Sequence, residues 1–170
     1  MKKRMLSLIL AAVVLFVFAA CGGGNTPNAG GAGENGGIFH SFDELGFSFE
    51  IPVWWAGKYA FEAREFAIDD GIGRVLEVYH PATREALSHR GDEVFLGQLV
   101  SIRILPGEEF DGPAGRMLAQ AGGYTYFMNT PIESDHYEDP DSEAALEFME
   151  LISAHDWAAW DFIAESFRLA

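Results

Sequence analysis

Five histidines, one cysteine and 26 carboxylates are the side chains of this 170-residue chain that could hold a metal or move a proton. His40, His80, His89, His136 and His155 show no pair at the spacing of a helical zinc motif, and no H-E-x-x-H occurs. His80 precedes a proline at a strand end and His155 falls at a helix break, so both read as surface or hinge residues. The serines offer neither a G-x-S-x-G elbow nor an S-x-x-K pair. Ser48, Ser101 and Ser153 fall on strand or helix faces, as structural residues do. The glycine-rich stretches 22–24 and 30–37 do not follow a strand and are not phosphate loops. Paired carboxylates for glycoside cleavage have a spacing that exists only in three dimensions.

The densest constellation runs from Glu133 to Asp141. Its oxygens suit calcium, and Asp135, His136, Glu138, Asp139 and Asp141 are the candidate metal ligands. The segment lacks the D-x-[DN]-x-[DN]-G spacing, and a solvated loop leading into a capped helix also accounts for Asp139 and Asp141. In the pair Trp54-Trp55, Trp54 is the candidate for an exposed aromatic contact, for instance a sugar-stacking platform, and Trp55 for the core. No catalytic residue, cofactor-binding residue or cofactor is assigned, and a non-enzymatic role is expected.

The first 25 residues are informative about place. Lys2, Lys3 and Arg4 precede an apolar run from Leu6 to Phe18, and Ala19-Ala20 lead into Cys21. That order reads as a secretory signal peptide. The apolar run is 13 residues, short of the roughly 20 needed to span a bilayer. It resembles a bacterial lipoprotein signal, whose lipobox ends in small residues and a cysteine. Phe18 departs from it, standing where that family usually carries Leu, which should weaken processing more than abolish it. The resemblance implies that Cys21 receives a diacylglyceryl group and becomes the mature N-terminus. The partner is then the lipid bilayer, met through acylated Cys21 at the extracytoplasmic face of the cell membrane. Two acyl chains bind stably where one binds marginally.

Residues 1–20 are thus expected to be the signal peptide, 21–37 a Gly/Asn-rich flexible tether, and 38–170 a single extracytoplasmic domain. The sixteen residues from Gly22 to Gly37 have nothing apolar to bury and would reach roughly 20–25 Å on average. Three of the 11 Lys and Arg lie in the signal, and every acidic residue lies beyond it. The mature chain keeps eight basic against 26 acidic residues, a net −18, which argues against nucleic acid or an anionic leaflet as partner.

Within the domain, Gly46 to Pro52 alternates apolar and polar residues, predicting a half-buried strand with Phe47, Phe49 and Ile51 facing in. Tyr59–Ile68 predicts a second strand, its phase slipping near Arg64-Glu65 as at a bulge. After the Asp69–Gly73 turn, Arg74–His80 predicts a third strand, with Leu76 and Val78 on one face. Pro81–Arg90 predicts a short helix, Val94–Leu105 a central strand, Pro106–Gly115 an acidic loop and Tyr124–Thr130 a further strand. The C-terminal part predicts a helix capped by Asp139, with Ala145, Phe148, Met149 and Ile152 as its apolar stripe. A second helix follows from about Asp156, burying Trp157, Trp160 and Ile163, and Ser166–Leu169 returns as an edge strand.

Strands first and helices last, joined by hairpin turns, predict an α+β fold with an antiparallel sheet flanked by helices. The run Gly46-Phe47-Ser48-Phe49-Glu50-Ile51-Pro52, with Trp55 and Gly57-Lys58-Tyr59, resembles the opening of PsbP-like domains. It is similar too to small lipoproteins of Gram-positive bacteria. The resemblance implies an α/β/α sandwich, and known members of that fold are largely non-catalytic subunits and accessory factors. The expectation is a membrane-anchored accessory domain that binds another extracytoplasmic protein. A small-ligand or divalent-cation module and a cell-envelope hydrolase with an unmarked site are the alternatives.

Overall fold

The computed structural model describes residues 28–68, 71–90, 96–107, 115–130, 139–153 and 157–170. Its strands form where apolar residues recur at every second position, since alternate side chains of a strand share one face. In β3 (Phe47–Ile51) the side chains of Phe47, Phe49 and Ile51 are fully buried, and Pro52 ends the strand. β2 (Ile38–Phe42) pairs with it antiparallel, setting Phe42 opposite Phe47, His40 opposite Phe49 and Ile38 opposite Ile51. β1 (Asn28–Ala32) and the two-residue β9 (Arg168–Leu169) complete a four-stranded sheet in the order β1-β2-β3-β9. The C-terminal edge strand read from Ser166–Leu169 is therefore present, shortened to Arg168–Leu169.

The remaining strands make a second antiparallel sheet, in the order β4-β5-β6-β8-β7. They are β4 (Ala60–Ile68), β5 (Gly71–Tyr79), β6 (Gln98–Pro106), β7 (Arg116–Ala121) and β8 (Tyr124–Asn129). β6 occupies the centre, as its two-sided apolar pattern predicts, and it begins four residues later than Val94. β7 was not foreseen. It is joined to β8 by Gly122-Gly123, both at positive φ, which is the two-glycine hairpin turn whose twist suits paired strands.

Three helices complete the described residues: α1 (Pro81–Leu87), α2 (Glu143–Ser153) and α3 (Ala158–Ser166). The fold is α+β, with two antiparallel sheets where a single sheet flanked by helices was expected. The reason is aromatic. The apolar face of the first sheet packs directly on the second, with Phe42 and Phe61 ring centroids 5.1 Å apart and Phe47 and Tyr126 6.0 Å apart. Leu76, Val78, Val100, Ile102, Ile104 and Met128 face this layer, and Phe148, Leu151, Trp160 and Ile163 of the helices join the same core. Removing one such ring, as in Phe49→Ala, would cost about 3–5 kcal/mol.

Three local expectations are corrected. β4 has no bulge: its register to β5 runs unbroken from Ala60↔Tyr79 to Ile68↔Gly71. The apparent phase slip arises because this edge strand is covered on opposite faces at its two ends. Phe61 joins the aromatic layer, whereas Phe66, an odd number of residues on, lies over Gly73 with the Arg103 guanidinium above its ring. The cap of α2 is Ser142, whose hydroxyl accepts the Ala145 N–H, and Asp139 instead accepts the Asp141 N–H in the turn before it. The buried stripe of α2 is Ala145, Phe148 and Leu151, with Met149 turned to solvent.

The second half of the expected tether belongs to the fold. Asn28–Ala32 pairs with β2, and the turn that follows is held by a carboxylate. Glu50 accepts hydrogen bonds from the Asn35 N–H (3.1 Å), the Asn35 side-chain amide (3.2 Å) and the Gly37 N–H (3.0 Å). Gly33 is required beneath it, because a Cβ there would lie 2.1 Å from the Glu50 carboxyl carbon.

His40 is the polar exception in the aromatic layer. It is 4% exposed, its Nε2 lies 2.7 Å from the Tyr59 hydroxyl, and its Nδ1 has no partner. Phe42, Phe61 and Tyr59 surround the ring. Burial pushes its pKa from the ordinary 6.5 down to about 4, and raises that of the Tyr59 phenol. The unfolded chain therefore binds a proton that the folded chain refuses. Stability is complete above pH 6.5 and falls as pH drops towards about 4. The loss is expected to be about 1–3 kcal/mol, with solvent screening of the ring allowed for. Urea denaturation at pH 7 and at about pH 4.5 checks this, and His40→Phe should flatten this component of the pH dependence.

Candidate functional site

Four tryptophans define the surface best suited to contact. Pro52 stops β3, and Val53–Trp55 turns once as a 3-10 helix, with the Trp55 N–H bonded to the Pro52 carbonyl at 3.0 Å. The Trp55 ring is fully buried and its indole N–H donates to the Leu151 carbonyl of α2 at 3.2 Å. With Trp55 pinned inward, Val53 and Trp54 face solvent, Trp54 being 37% exposed with its ring 6.3 Å from that of Phe162 in α3. The sequence readings of Trp54 as exposed and Trp55 as core both hold.

A second pair repeats this arrangement at the start of α3. The Trp160 indole donates to the Leu99 carbonyl at 2.8 Å and is buried. Trp157, expected inside, is 61% exposed, its ring 4.8 Å from Trp160. Its φ of 74° makes it the one non-glycine residue at positive φ among those described. That conformation costs about 1–2 kcal/mol for a residue with a Cβ, and it stands immediately before α3. The 3-10 turn touches α2 through the Trp55 indole and α3 through Trp54 against Phe162, and Trp157 stands exposed at the start of α3. Leu146 and Met149 on the outer side of α2 are exposed as well. Leu146 shares a shallow depression of about 400 Å³ with Asp141, Glu143, Glu147 and Glu150. The surface combines flat apolar rings with carboxylates, which is the chemistry of a contact face for a partner carrying basic and apolar groups.

The constellation nearest to catalytic chemistry is one that sequence reasoning missed. His80 is 2% exposed, not a surface residue, with Nδ1 2.7 Å from the Thr83 hydroxyl and Nε2 3.0 Å from a Glu147 carboxylate oxygen. Lys58 pairs with the other oxygen at 3.1 Å, and hydrogen bonds from Lys58 and then His80 lower the Glu147 pKa. The ionised carboxylate only accepts, so in the neutral ring Nε2 carries the proton and Nδ1 accepts from Thr83. A hydroxyl, an imidazole and a carboxylate in a row are the parts of a nucleophile relay. Here the Thr83 side chain is fully buried, which leaves no space for a reacting carbon beside its oxygen. What the row does is clamp α1 to α2.

A second buried network lies on the far face of the second sheet. Glu77, nearly fully buried, accepts from Arg64 at 2.7 Å and from Arg84 at 2.9 Å, and Arg84 also pairs with Glu62 and stacks on the Tyr79 ring. Burial, and then the Arg64 charge, lower the Arg103 pKa beside it. Neither Glu77 nor Glu50 carried a sequence signal, since each occupies an ordinary polar position within a strand.

Of the predicted site residues, Asp139 and Asp141 are exposed and joined by the turn hydrogen bond already described. Asp135, His136 and Glu138 lie outside the described residues, as do Cys21 and His155. Among the described residues no group of three metal-ligating side chains converges. Comparison with protein-family models, with curated proteins and with solved structures gives no match to this chain.

Two substitutions separate contact residues from clamps. Trp157→Gly relieves the left-handed strain and is expected to change stability by no more than about 1 kcal/mol. His80→Ala empties a buried ring site and takes the imidazole from the buried Thr83 hydroxyl, and is expected to cost about 2–3 kcal/mol. Thermal melts of both variants check the contrast.

Proposed function

We propose that this protein is a lipid-anchored extracytoplasmic accessory domain that binds another protein through the tryptophan surface at the α2–α3 junction. The observation that carries this reading is Trp157, an aromatic left 61% exposed at a backbone angle that costs free energy. Tryptophan is among the residue types enriched where binding energy concentrates at protein interfaces. The acidic depression along α2 favours a partner with basic residues around an apolar centre. The lipobox-like Ala19-Ala20-Cys21 supports membrane attachment, and the tether that remains, Gly22–Pro27, would keep the domain close to the lipid surface. A PsbP-like ancestry belongs to this proposal and rests on the Gly46–Pro52 and Trp55 pattern of the sequence.

Two measurements test the halves of the proposal. Metabolic labelling with an alkyne fatty acid should mark the wild-type chain, and Cys21→Ser should lose the label and leave the membrane fraction. Chemical cross-linking in intact cells should join the domain to one reproducible partner protein. Trp54→Ala with Trp157→Ala is expected to reduce that product about tenfold or more while the melting temperature stays near wild type.

A further inference from the structure

The outer face of the first sheet carries an open cavity of about 350 Å³. Phe39, Glu50, Ser166, Glu34 and Arg168 line it, with the Gly33 turn at its rim. The size falls within the range of small-molecule sites. Its charges are unusual in arrangement. Glu50 is buried, yet no cation among the described residues pairs with it, and its charge is met only by the N–H groups of Asn35 and Gly37. Arg168, across the same cavity, forms no ion pair with a described carboxylate, and its Nη1 donates instead to the Glu165 and Phe167 carbonyls, both at 2.7 Å. Glu34 adds an exposed carboxylate at the mouth. Ser166 fixes the wall between them by accepting the Glu50 N–H at 2.9 Å.

A carboxylate side and a guanidinium side that face one cavity without touching match a ligand carrying both charges. An ammonium group would sit towards Glu34 and Glu50, and a carboxylate would take the guanidinium of Arg168, the side chain suited to planar recognition of carboxylates. Phe39, the cross-strand neighbour of Glu50, supplies an apolar wall. We infer that this cavity is a binding site for a small zwitterion of the α-amino acid class, with its side chain against Phe39. The site shares no lining residue with the proposed protein-contact surface, so either can fail alone.

Isothermal titration of the full chain in detergent tests this with three probes of one shape: leucine, isoamylamine, which lacks the carboxylate, and isocaproate, which lacks the amine. Leucine is expected to bind at least about tenfold more tightly than either single-charge probe. Arg168→Gln and Glu34→Gln, both exposed and checked for folding by thermal melt, should each weaken leucine about tenfold while the fold is kept. No leucine binding at concentrations up to about 10 mM would overturn the inference. So would equal affinity for a single-charge probe, or unchanged leucine affinity in both variants.

Discussion

The aromatic layer between the two sheets is the constraint on which the rest of the molecule depends. Phe42, Phe47, Phe49, Phe61 and Tyr126 meet edge to face, tilted or stacked at centroid separations between 5.1 and 6.3 Å. Such rings remove large apolar areas from water and fix orientation as well as distance. With the layer in place, β3 must stop at Pro52 and send Trp55 into the core, and the 3-10 turn that does so turns Trp54 outward. The same packing leaves the other face of β3 to Glu50, which holds the turn after β1 through its N–H groups. Contact surface and cavity are thus two consequences of one buried face.

Polar groups inside this core are paired, with few exceptions, and the pairing sets where the protein is sensitive. The Glu77 network and the His80–Glu147 clamp satisfy their charges with hydrogen bonds of 2.7–3.2 Å. His40 stands apart, since one ring nitrogen has a hydroxyl and the other nothing. The aromatic layer thus carries within it a residue that resists protonation down to about pH 4 and whose charging works against the fold.

Much of the fold was legible because it rests on period and on turn residues. The alternation of β3, the buried Trp55, the central β6 and the break between α2 and α3 follow from patterns that any globular chain must obey. What was not legible rests on contacts across distance. Nothing in Gly22–Gly37 announces a strand, because β1 is held by backbone pairing and by a carboxylate 15 residues beyond Asn35. The phase of β4 could not be read without knowing that its ends are covered on opposite faces. Trp157 reads as core by type, yet it stands outside at a left-handed φ that no residue type announces. The clamp His80–Thr83–Glu147 spans 67 residues and has no local signature.

The central claim is that the α2–α3 junction is where a protein partner docks, and site-specific photo-cross-linking tests it most directly. A photoreactive amino acid would replace Trp157 in one strain and Ile72 in another, Ile72 being 62% exposed and set in the β4–β5 hairpin. The account predicts one cross-linked protein from position 157 and none above background from position 72. Equal products from both positions, or none from 157 with the folded chain present at the membrane, would contradict it.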